Sequence, residues 1–245
     1  MEAILATPGS RYLIVGELHG TAETASLFGD LVCLAVARSP VVVGLEMDES
    51  AQPVLDAYMA SAGGPEARAA LLGHGFWRSR DGRASLAMVG LVERMRALKA
   101  TGAPIRLMAF VPIVARAATQ TPYEQAMAAN WRRALVATPG ARLLVLVGNI
   151  HSRTAPFRDF EPAAMHLPHA ETVTFAPMAL GGTAYNCQRD GCGPHPVGSS
   201  GIASAPRGVT PVSAELRAAA PYDFFYSTGG PFTASPPALP APPDG

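Results

Sequence analysis

RYLIVGELHG, residues 11–20, runs from four apolar positions, Tyr12 to Val15, directly into Gly16, Glu17, His19 and Gly20. Two later stretches repeat the arrangement. In VVVGLEMDE, residues 41–49, Val41 to Val43 lead into Gly44, Glu46, Asp48 and Glu49. In RLLVLVGNIH, residues 142–151, Leu143 to Val147 lead into Gly148, Asn149 and His151. Short β-branched runs without alternation are the mark of strands covered on both faces, as in a parallel sheet between helices. The site of such a sheet lies just beyond the carboxyl ends of its strands. Parallel packing of these three runs would bring Glu17, His19, Glu46 and His151 to one edge.

The segments between the runs support that reading. Leu27, Leu31, Leu34 and Ala35 form one stripe on a predicted helix over residues 23–38. Further helices are predicted over 50–60, over 65–72 with proline in its first position, and over 85–100, where Met88, Leu91, Val92, Met95 and Leu98 share a face. A strand follows at 105–110. Thr121, Pro122 and Glu124 read as a capping box opening a helix that runs to about residue 137. The order β-α-β-α-α-α-β-α-β with right-handed crossovers predicts an α/β fold, a mainly parallel sheet with helices on both faces. Short strands at 171–175, 182–186 and 223–226 predict an antiparallel extension in the C-terminal third, with 191–211 as a long loop. One α/β domain is expected over residues 1–229. The tail, 230–245, holds six prolines in sixteen residues and is expected to be disordered or draped on the surface.

Composition bounds the function. With 245 residues and 49% hydrophobic content, one sizeable core is expected. Lys plus Arg and Asp plus Glu are 19 each, so no global field favours nucleic acid, and a small molecule or peptide is the expected substrate. No apolar run approaches the roughly 18 residues of a membrane span. Residues 1–11 lack the pattern of an export signal, so a periplasmic or secreted location requires a trimmed start together with a bridge between Cys187 and Cys192. That pair, in NCQRDGCGPH, leaves three readings open: a small disulfide loop, free thiols, or zinc with His195. Cys33, in LVCLAVA, reads as an inert buried thiol.

Two histidines and two carboxylates suit two chemistries. Glu17, His19, Glu46 and His151 could share a divalent metal such as Mn, Co or Zn, which would lower the pKa of a bound water to about 7. Without metal, His19 could act as general base while Glu17 or Glu46 orients its ring. The duller reading makes Glu17 and His19 a cap for the helix that starts near Thr21. GxSxG, HExxH, GxxxxGK[ST] and GxGxxG are all absent, which removes the main support for serine hydrolase, zincin, P-loop and dinucleotide-binding readings. HGFWRSRDGR, residues 74–83, offers Trp77 and Arg83 as substrate-binding candidates, with Arg83 the member expected to reach the site. His166 and His169 read as ordinary loop histidines.

VGELHG, the GLE strand end and VGNIH together resemble the superfamily of erythromycin esterases, Tiki-type metalloproteases, TraB-like proteins and ChaN-like haem-binding uptake proteins. The resemblance covers about residues 11–180, and the first motif is most similar to the ChaN-like branch. The erythromycin esterase form, GExxHG, has one residue more between its Glu and His than this chain has. The resemblance implies an α/β fold with Glu17, His19, Glu46 and His151 at the shared pocket. Ester or amide hydrolysis is the implied activity, with haem binding through a pocket histidine as the alternative.

Overall fold

In this computed structural model the described residues are 2–5, 9–113, 119–199, 201–202 and 204–240. The elements in chain order are α1 (Glu2–Leu5), β1 (Tyr12–Glu17), α2 (Ala22–Val36), β2 (Val41–Asp48), α3 (Gln52–Ala60), α4 (Pro65–Leu72), α5 (Leu86–Ala100), β3 (Ile105–Val111), α6 (Thr121–Val136), β4 (Arg142–Gly148), β5 (Thr172–Pro177), β6 (Thr183–Gln188), β7 (Gly191–Pro196), β8 (Gly208–Pro211) and β9 (Phe224–Ser227).

Seven strands form one sheet in the order β3-β2-β4-β1-β5-β9-β8. All neighbours in it are parallel except β8 on β9. The three apolar runs are therefore adjacent, β2 beside β4 beside β1, and the register places Glu17 level with Gly148. Successive residues of the runs point to opposite faces, which divides the core in two. Leu13, Val15, Val43, Leu45, Leu144 and Leu146 meet α2, α3, α4 and α5. Ile14, Val42, Leu143, Val145 and Val147 meet α6 through Met127, Trp131 and Leu135. Each such side chain, when fully buried, contributes about 1.5–3 kcal/mol of hydrophobic stabilisation. No described helix is long and apolar enough to cross a membrane.

The C-terminal third departs in detail from the sequence reading. Antiparallel pairs are present, β8 on β9 and a separate hairpin of β6 with β7. However, β5 and β9 join the main sheet in parallel, and the span expected to be a long loop contains β7 and β8. Of the tail, residues 230–240 are described, and residues 241–245 lie outside the described residues. The backbone of residues 230–240 spans the starts of two helices: Thr233 O accepts from Ala22 N, Pro236 O from Leu86 N, and Ser235 N donates to Gly20 O. Prolines suit the extended backbone of this strap, and the residues between them supply its donors, Phe232 N to Gly181 O and Ala238 N to Ala84 O among them.

Candidate functional site

β1 ends at Glu17, and its side chain is 4% exposed. Its Oε1 lies 2.9 Å from His19 Nδ1. The duller capping role does not materialise among the described residues: Thr21, at the cap position of α2, makes no side-chain cap bond, and its Oγ1 donates to Leu18 O and lies 3.1 Å from Thr24 Oγ1. Glu46, near the end of β2, is 6% exposed and accepts from Gly148 N at 2.6 Å. His19 Nε2 lies 3.7 Å from Glu46 Oε2, and His151 Nε2 lies 4.0 Å from Glu46 Oε1. The structure thus brings all four predicted residues together. Gly148 lacks a side chain for a reason visible here: a Cβ there would meet His19 Nε2 at 3.0 Å and His151 Cδ2 at 3.4 Å.

One residue of the cluster escaped the sequence reading. Glu124 does not close a capping box, because α6 is preceded by Gln120 and Thr121 is already helical. Its fully buried carboxylate instead meets His151 Nδ1 at 2.8 and 2.9 Å and accepts from Ala163 N at 2.9 Å and Gln120 Nε2 at 2.6 Å. The capping pattern hid it, since one acidic residue near a helix start serves either purpose.

Arg83 reaches the site as expected, with Nη1 3.6 Å from Glu46 Oε1. It is also held by Asp81, through Nε at 3.0 Å and Nη2 at 2.7 Å, so both neighbouring carboxylates compensate its charge. Trp77 is a correction. It is fully buried in the core below the sheet and does not line the cleft, because an indole of that size contributes more as packing. His166 faces Glu161 at 3.6 Å, away from the cluster.

A cleft of about 440 Å3 opens over the rings of His19 and His151, lined also by Leu18, Asp81, Asn149 and Ile150. Its far wall is the β6–β7 hairpin, through Ala184, Asn186 and Pro196, together with Val197 and Gly198. Cys187 and Cys192 face each other across the hairpin and are joined by a disulfide, which selects one of the three readings of that pair. His195 pairs with Asp190 at 3.0 Å instead of joining a zinc shell. Cys33 is only partly buried and accepts from Arg94 Nη2 at 3.3 Å. Replacing Cys187 and Cys192 with serine should cost about 2 kcal/mol, since the bridge closes a short loop. Urea unfolding of the double variant checks this; an unchanged midpoint would contradict it.

Charge in the cluster is strongly coupled. Burial pulls the His19 pKa down, but Glu46 and the Glu17 hydrogen bond outweigh it and raise it to about 9. His151 is raised too, burial opposing and Glu124 prevailing. Glu46 is lowered: burial raises it, and His19, His151, the Gly148 amide and Arg83 together overcome that. The folded state therefore binds the histidine protons more tightly than the unfolded chain does. His19 contributes stability that is complete below its ordinary value of 6.5 and is lost as pH rises through about 9. Glu46 contributes stability above its ordinary 4.5 that fades as pH falls further. Urea midpoints should accordingly be highest between about pH 4.5 and 6.5 and decline toward pH 9. A wild-type midpoint that does not change from pH 6.5 to 9 would contradict the coupling.

The donors do not fit a divalent metal as they stand. The histidine–carboxylate pairs leave both Nε2 atoms free, as in metal-ligating histidines, but the Arg83 cation already faces Glu46, the carboxylate between them. Among the described residues no group of three or more His, Cys, Asp or Glu side chains is arranged to hold a metal ion. Haem needs a ring nitrogen facing an open apolar slot, and the cleft over the two rings has Asp81, Asn149 and Asn186 in its lining.

Fold and cluster together define a parallel α/β pocket protein with two histidine–glutamate pairs at one sheet edge. Solved structures share this fold. A Bacillus cereus protein matches with a TM-score of 0.75 at 10% identity, over 94% of this chain and 91% of its own. A succinoglycan biosynthesis protein matches with a TM-score of 0.74 at 10% identity, over 96% and 91%. A histidine-to-asparagine mutant of the erythromycin esterase EreC, in its open conformation, matches with a TM-score of 0.68 at 11% identity, over 96% and 93%. The fold implied by the motif resemblance is thereby borne out. No protein-family model matches the chain. No curated protein matches it either.

Proposed function

We propose that this protein is a hydrolase that cleaves an ester or amide with water activated by His19. The observation that carries the reading is that His19 and His151 each have Nδ1 against a buried carboxylate and present Nε2 to the same third carboxylate, Glu46. A carboxylate at Nδ1 orients an imidazole and stabilises its cation, leaving Nε2 for proton transfer. His19 would take a proton from water through Nε2. His151, as the doubly protonated cation, would donate from Nε2 to the developing oxyanion or the leaving group, and its neutral form would keep the remaining proton on Nδ1. The cleft between Asn149, Ile150 and the hairpin would seat the substrate. The EreC likeness supports the fold for such chemistry, and the cluster supports the chemistry.

The Cys187–Cys192 bridge supports placing the protein in an oxidising compartment, periplasmic or extracellular. The test is turnover of p-nitrophenyl acetate, p-nitrophenyl butyrate and a p-nitroanilide by wild type, His19→Asn and His151→Asn, with elemental analysis of each preparation. Metal-free hydrolysis that both substitutions abolish supports the reading. Equal rates in all three proteins, or a rate that a chelator removes and one metal restores, would overturn it.

A further inference from the structure

We infer that Glu124 is a positioning residue for His151, as Glu17 is for His19, keeping the proton of the neutral ring on Nδ1 so that an unprotonated Nε2 faces Glu46 and the cleft. The inference rests on the hydrolytic reading only for its catalytic consequence; the geometry stands by itself. Glu124 comes from α6, on the opposite side of the sheet from α2 and α5, and is the one charged residue of that helix that is fully buried. An ionised carboxylate taken out of water costs several kcal/mol unless donors meet it. Here three donors converge: Gln120 Nε2, Ala163 N and His151 Nδ1. His151 O in turn accepts from Ala164 N at 3.0 Å, so one carboxylate and one backbone bond clamp the ring between α6 and the 162–164 turn.

A residue needed only for packing could be apolar at this depth. A carboxylate aimed at Nδ1 adds something packing does not, namely the choice of tautomer. The other groups facing the ring are Glu46 and His19, on the Nε2 side, and the Tyr123 ring at 6.5 Å. None of them competes for Nδ1.

The test is 15N–1H correlation NMR of His151 in wild type, Glu124→Gln and Glu124→Asp, at a pH above the titration of that ring, with circular dichroism confirming the fold. The expected wild-type spectrum shows a protonated Nδ1 and an unprotonated Nε2. Glu124→Gln should move the proton to Nε2, because the remaining amide oxygen is claimed by Ala163 N and the amide nitrogen faces the ring. Glu124→Asp should restore the wild-type pattern at least in part. On p-nitrophenyl butyrate, Glu124→Gln should lower kcat about 100-fold or more with KM changed less than about twofold, the pattern of a lost orienting carboxylate. A wild-type ring protonated on Nε2, or a Gln variant with an unchanged tautomer, overturns the inference. Should Glu124→Gln fail to fold, the wild-type and Asp spectra still decide. The expected tautomers with no ester turnover in wild type would sink the hydrolase reading and leave the Glu124 assignment intact.

Discussion

Replacing His19 with asparagine is expected to lower kcat/KM on p-nitrophenyl esters by about 10³-fold or more, to near the buffer rate, while the protein stays folded. General-base catalysis by a positioned histidine contributes about 10²–10⁴. A nucleophile or base in a Glu-oriented pair is closer to the top of that range, since the pair acts as a unit. Asparagine keeps a polar group near Glu17 and adds no bulk beside Gly148, so gross unfolding is not the expected route to inactivity. The pH profile gives a second check. A base whose pKa is about 9 is mostly protonated at pH 7, with about one site in a hundred competent, so wild-type kcat/KM should rise with pH above neutrality and turn over only as His151 gives up its own proton. A profile with no rising limb would mean that His19 does not act as the base.

Gly20→Ala carries the largest expected loss of stability, about 3–5 kcal/mol, and a Tm lower by about 6–20 °C. Gly20 has φ +75°, which a side chain raises in energy by about 1–2 kcal/mol. A Cβ there would also lie 1.9 Å from Tyr185 O, a backbone atom that cannot rotate away. Tyr185 N donates to Gly20 O at 3.0 Å and Ser235 N to the same oxygen at 2.7 Å, so the hairpin and the C-terminal strap both dock where the new methyl would push. Because Gly20 follows His19, activity should fall with stability. Differential scanning calorimetry decides it: a Tm within about 2 °C of wild type would show that the hairpin yields at no cost. The same docking couples hairpin to site elsewhere, since Arg80 Nη2 donates to the Tyr185 hydroxyl at 2.6 Å and stacks on its ring.

Sequence alone determined the parallel sheet and the meeting of Glu17, His19, Glu46 and His151. Buried parallel strands announce themselves as unbroken apolar runs, and the groups that end them have no packing reason to be charged. Helix positions followed from periodicity, which local geometry enforces. Pairings that join distant parts of the chain left weaker marks. Nothing linear distinguishes Glu124 as a capping residue from Glu124 as the partner of a histidine 27 positions on. Trp77 looked like a binding residue because it sat among arginines, and only packing shows it inside the core. The strap over the starts of α2 and α5 and the parallel docking of β5 and β9 rest on backbone hydrogen bonds, which any side-chain sequence of suitable shape can make. Tertiary structure decided these points because they depend on which surfaces meet, whereas the strands and their charged ends depend on what each short segment must bury.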